Sequence, residues 1–74
     1  MEKREIEKEL EIIRERIRFC RLKKGYSQDY MGHLLGTSQY AYNKMENGHT
    51  KLQISTLLKL EAIFGLEKWS LLKD

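Results

Sequence analysis

Apolar residues recur along this chain at spacings of three and four, without the strict alternation of a half-buried strand, so each predicted element buries one face of a helix. Ile6, Leu10, Ile13, Ile17 and Cys20 follow steps of four, three, four and three, a heptad seam that predicts a long first helix over Lys3 to Lys24. Ser27 is a good N-cap, and Asp29 adds favourable negative charge in the first turn, so a second helix is expected over Gln28 to Leu35. Met31, Gly32 and Leu35 share its inner face, and Gly36 can take the positive φ that stops it. Thr37 or Ser38 caps a third helix, Ser38 to Glu46, with Ala41, Tyr42 and Met45 turned inward. A fourth is placed over Ile54 to Phe64 and a fifth over Glu67 to Leu72, with glycines at 25, 36, 48 and 65 as stops and no proline anywhere. The expected fold is all-α, with five helices.

The outer face of the third helix then carries Gln39, Tyr40, Asn43, Lys44 and Asn47, and it is polar and almost uncharged. Glutamine and asparagine can each make paired hydrogen bonds to an adenine edge, and lysine can reach the guanine acceptors, whereas an ordinary solvated face carries more Glu and Lys. Tyr40 suits contact with a thymine methyl or a sugar. The competing explanation, surface residues on a short helix of some other bundle, stays open at this point.

The blocks IRERIRFCRLKKGYSQ, MGHLLGTSQ, YNKMENGHTK, STLLKL and FGL, in that order and spacing, resemble the lambda-repressor-like helix-turn-helix domains of Xre/Cro type found in bacterial and phage regulators. The resemblance runs from about Ile13 to Leu72, so residues 1–12 read as a helical extension and 13–74 as a helix-turn-helix domain. It implies that the helix from Ser38 to Glu46 is a recognition helix, that Gln28 binds a backbone phosphate, and that Arg21 pairs with Glu46. Ser38 and the loop residues Asn47, His49, Thr50 and Lys51 are further candidates for the DNA backbone, where exposed N–H groups and cations set register. Four positions depart from the family pattern. Gly32 stands in place of an alanine at the helix crossing, Thr37 in place of a valine, Leu52 in place of a proline, and Glu61 where a small buried residue is usual. For Glu61 two outcomes are open: a slight rotation of helix four, or a carboxylate that reaches a cation at the domain edge.

Seventy-four residues allow one domain with one small core. Net charge is +3, but residues 1–12 sum to −2 and residues 13–24 to +5. The basic segment holds Arg14, Arg16, Arg18, Arg21, Lys23 and Lys24, whose later members can approach phosphates, while Arg14 and Arg16 read as a charged solvated face. Cys20 is the only cysteine, which excludes an intrachain disulfide, and it falls on the inward stripe as a small buried hydrophobe. Neither a signal peptide nor an apolar run of membrane length is expected, and a cytoplasmic location follows.

His33 and His49 lie sixteen positions apart with no cysteine pair or HExxH spacing, and neither GxSxG nor a Gly-rich phosphate loop occurs. No enzyme, metal site or cofactor is therefore expected. His33 is placed on the surface of helix two and Tyr42 in the core.

Ile6 and Leu10 extend the first seam beyond the family core. They pack back on the Trp69, Leu71 and Leu72 end of the chain, or they meet a second copy or a protein partner. A dimer suits the chemistry, since one such domain reads only about four or five base pairs and a twofold pair reads two half-sites roughly 34 Å apart. Ile6, Leu10, Leu66, Trp69 and Leu72 are the candidate dimer interface, with Trp69 as a core plug the preferred alternative for that residue. The resulting expectation is a sequence-specific reader of double-stranded DNA that regulates transcription, as a repressor and homodimer. A protein-interaction module, such as the antitoxin of a toxin pair, with Ile6, Leu10 and Leu34 as its working surface, is the alternative.

Overall fold

The computed structural model describes residues 1–73; Asp74, the last residue of the expected domain, lies outside the described residues. Four α-helices and one 3-10 turn make up the fold: α1 over Lys3–Lys24, α2 over Gln28–Leu35, α3 over Gln39–Glu46, α4 over Ile54–Phe64, and the turn over Ser70–Leu72. There is no strand among the described residues.

Local chemistry sets the middle of the fold. Ser27 and Ser38 each adopt extended backbone and accept, through Oγ, the third N–H onward, from Tyr30 and Ala41 respectively, both at 3.0 Å. Gly36, at φ 73°, ends α2, and the N–H of Thr37 reaches back to the carbonyl of Gly32. Gly32 answers a different need. A Cβ there would meet the carbonyl carbon and oxygen of Ser38 at 2.9 Å, so only glycine lets the start of α3 come this close to α2.

The core lies where the helices converge. Ile17 from α1, Met31 from α2, Tyr42 and Met45 from α3, Leu57, Leu60 and Phe64 from α4, and Leu71 from the terminal turn form one buried cluster. Ile13, Cys20, Leu35, Leu52 and Ile63 pack around it. Burial pushes the Cys20 thiol up, with Lys23 opposing, so the thiolate is disfavoured there.

The C-terminal segment and the first turns of α1 depart from expectation. The fifth helix does not form. The buried Glu61 carboxylate accepts the N–H groups of Trp69 at 2.8 Å and Leu71 at 3.0 Å, while Trp69 takes a left-handed φ of 72°. Those donors are turned toward a side chain instead of along a helix, and one 3-10 turn remains. Instead of reaching a cation through these two oxygens, Glu61 anchors the C-terminal segment. Trp69, 40% exposed, is not a core plug. Ile6 and Leu10 do not pack back on the C-terminal end: Ile6 is exposed, and Leu10 lines a groove with Glu7, Glu11 and the loop from Asn47 to Leu52.

Candidate nucleic-acid interface

A recognition element must be rigid behind and open in front. The rear of α3 is tied down by the carboxylate of Glu46, which is 1% exposed. Arg21 meets it side-on, with Nε donating to Oε2 at 2.8 Å and Nη2 to Oε1 at 3.0 Å, while Nη1 donates to the carbonyl of Tyr26 at 3.0 Å. Tyr42, one turn back on α3, donates its hydroxyl to the same carboxylate, and Arg18 stands 3.7 Å away. Burial alone would raise the Glu46 carboxyl, but the hydrogen bonds from Arg21 and Tyr42 outweigh it and hold the group below its ordinary value. Burial, followed by the hydrogen bond to Glu46, pushes the Tyr42 hydroxyl far above the usual tyrosine range, so it remains a donor.

The same carboxylate touches the front of the motif. Gln28 Nε2 approaches Glu46 Oε1 at 3.4 Å, and Asn43 Nδ2 donates to Gln28 Oε1 at 3.0 Å. Gln28 is half-buried and so is Asn43, hence the two amides are oriented before any ligand arrives. A chain of contacts therefore runs from Arg21 through Glu46 and Gln28 to Asn43, joining α1, the start of α2 and the middle of α3.

At the open end, Gln39 and Tyr40 occupy the first turn of α3 directly after the Ser38 cap, both exposed, Tyr40 to 72%. Lys44 is half-buried and sets its ammonium 5.2 Å from the centre of the Tyr40 ring, a cation–π contact that holds both side chains on the outer surface. Asn47, His49, Thr50 and Lys51 are all exposed in the loop that follows. The N–H groups of Asn47, Gly48 and His49 are not free for phosphate, because they donate to the carbonyls of Asn43, Met45 and Lys44. What that loop offers outward is its side chains.

Sequence reasoning misplaced Arg14. Instead of lying on a solvated face it is 7% exposed, with Nε donating to the carbonyl of Met45 at 3.0 Å and Nη2 to that of Thr50 at 2.9 Å. It closes the end of α3 and fixes the loop behind it. The signal was its register: Arg14 stands seven residues before Arg21, on the same flank of α1. Arg16, also read as solvated, donates to the carbonyl of Leu71 at 3.0 Å.

Of the candidate dimer residues, Ile6, Leu66, Trp69 and Leu72 are exposed and Leu10 is half-buried. They do not share one surface, since Leu10 lies by the loop after α3 and Leu66 lies beside Phe19 and Leu71. His33 is exposed on α2 and Tyr42 is buried in the core.

The helix-turn-helix family matches residues 17–68. A prophage-derived protein of Bacillus subtilis (strain 168), the SPbeta uncharacterized HTH-type transcriptional regulator YonR, is 42% identical over 59 residues, covering 80% of this chain and 55% of its own length. The chain thus spans about half the length of that relative. No solved structure matches. With the motif's caps, its glycine crossing and its exposed third helix in place across the matched residues, the chain belongs to the Xre/Cro-type helix-turn-helix family of DNA-binding domains.

Proposed function

We propose that this chain is a sequence-specific, double-stranded-DNA-binding regulator of transcription that works in the cytoplasm and represses by occupying an operator as a homodimer. The observation that carries the reading is the asymmetry of α3. Its inner face is fixed by Tyr42, Met45 and Glu46, while Gln39 and Tyr40 stand exposed in its first turn. An element that is braced from behind and tipped with an amide and a ring can enter a major groove without reorganising. Family membership supports the DNA-binding part, and the name of the prophage relative points to transcription.

Within this reading Gln39, Tyr40, Asn43 and Lys44 read bases. Gln28, Ser38, Asn47, His49, Thr50 and Lys51 hold the backbone. Half-sites related by twofold symmetry let two small domains specify what one cannot. Selection of bound duplexes from a random pool, with the mass of the free protein measured in parallel, tests it. A palindromic consensus recovered with a dimeric protein is the expected result. Failure to retain any duplex at low salt would overturn the reading and favour a module that works on proteins.

A further inference from the structure

A side-chain amide can lie either way round, but a carboxylate decides the matter for its neighbour. Glu46 is held ionised by Arg21 and Tyr42 and has no hydrogen to give, so it only accepts. The end of Gln28 that faces it, at 3.4 Å, is therefore the NH2 group, and the Gln28 oxygen is left to face α3. That oxygen also only accepts, so Asn43 meets it through Nδ2, at 3.0 Å. One end of the chain of amides remains. Among the described residues no fully buried side-chain nitrogen or oxygen lacks a hydrogen-bond partner, and no hydrogen bond ends on Asn43 Oδ1. Asn43 Oδ1 therefore reaches the surface of α3.

We infer that this polarity determines which base Asn43 reads: its carbonyl oxygen leads into the major groove and selects an edge that donates, adenine N6 or cytosine N4. Gln28 and Glu46 are positioning residues for that choice and touch no base. Reversing Gln28 would set its NH2 group against Asn43, turn the Asn43 amide over and present a donor, which matches guanine O6 and N7. The carboxylate opposes the reversal, because it would then face the Gln28 oxygen. A DNA phosphate on Gln28 acts in the same sense, since it too only accepts and Nε2 has a second hydrogen to offer. The inference rests on the proposed DNA reading. It adds the class of base at one position, and it gives Gln28 a part in specificity as well as in holding the backbone.

Asn43→Ala first identifies the base pair concerned, as the one position whose preference it abolishes. Four duplexes that differ only there are then titrated with the full chain at one salt concentration. For the wild type, adenine and cytosine on the contacted strand should bind about tenfold more tightly than guanine and thymine. Gln28→Ala should lose affinity for all four and bring them to within about threefold of one another. A residue that only held a phosphate would lower the four together and leave their order intact. Arg21→Met/Glu46→Leu removes the carboxylate without stranding its partner, and it should narrow the preference while Gln28 and Asn43 stay in place. If circular dichroism shows that this double variant has lost its helices, Gln28→Ala decides.

A wild type that favours guanine or thymine at that position, an Asn43→Ala variant that changes no single position, or a Gln28→Ala variant that keeps the tenfold order would each overturn the inference and leave the DNA reading in place. A folded double variant with the full wild-type preference would overturn the step assigned to the carboxylate. A chain that retains no duplex at low salt would overturn both readings together.

Discussion

Arg21 and Glu46 stand 25 positions apart in the chain, and the guanidinium of one grips both carboxylate oxygens of the other at 2.8 and 3.0 Å inside the domain. Removing one member strands a buried charge. Arg21→Met or Glu46→Leu alone should therefore cost about 3–5 kcal/mol, and the double variant should cost less than the sum of the two. Thermal melts of the three variants measure this, and strict additivity would deny the coupling.

The same pair predicts an acid response. Glu46 is held below its ordinary value of 4.5 in the folded state, so the unfolded chain takes up this proton first as pH falls. Its contribution is full above that value and declines as pH drops through the lower folded-state value. Urea midpoints followed from pH 7 downward should fall through this window in the wild type, and should fall less steeply in Glu46→Gln.

Asn43 donates to Gln28, so the two side chains cannot be altered independently. Gln39, in contrast, is exposed and free-standing at the tip of α3. Substituting Gln39 by alanine should cost about 1–3 kcal/mol of binding at one base position and relax preference there. Asn43→Ala should do the same and also weaken the phosphate contact proposed for Gln28, adding a uniform loss. Lys51→Ala should weaken all sequences alike and reduce the salt slope by about one. Titrations against a cognate and a scrambled duplex at several salt concentrations separate the three patterns.

What could be read from the chain was whatever local chemistry decides. Ser27, Ser38 and Gly36 mark their helix ends with bonds that span three or four residues, and Gly25 and Gly65 end α1 and α4 in the left-handed conformation. Arg14 and Glu61 were not legible, because their partners are backbone atoms: the carbonyls of Met45 and Thr50, and the N–H groups of Trp69 and Leu71. Every residue carries such atoms, so beyond the seven-residue register of Arg14 with Arg21 the sequence offers no pattern to match. The expected fifth helix failed for the same reason, since the acceptor that diverts its donors lies on another element. Gly32 lies between these cases: the glycine at the crossing was visible, and only coordinates reveal that Ser38 occupies the space of a methyl group.

Gly32→Ala sets two effects of known sign against each other. Alanine improves helix propensity by about 1 kcal/mol. Its Cβ would press on Ser38 backbone at 2.9 Å, and backbone at a capped helix start has little room to yield. Overpacking of this kind costs about 1–3 kcal/mol, so the melting temperature should fall slightly or hold, and α3 should shift outward. Specific binding should therefore drop more than stability does, a split that melts and duplex titrations on one sample would reveal.

Glu61 anchors the terminal segment by accepting the N–H groups of Trp69 and Leu71, and Trp69 is the only tryptophan in the chain. Glu61→Ala leaves both donors without an acceptor and leaves the left-handed turn at Trp69 unsupported. A lost hydrogen-bonding partner at a buried site costs about 1–3 kcal/mol per group, and Leu71 would be drawn partly out of the core. Tryptophan emission should shift and acrylamide quenching should rise at temperatures where circular dichroism still reports intact α1 to α4. Glu61→Gln, whose amide oxygen can still accept one of the two bonds, should fall between the wild type and Glu61→Ala. Emission identical in all three would mean that the terminal turn is held by Leu71 burial alone and that the carboxylate is incidental to it.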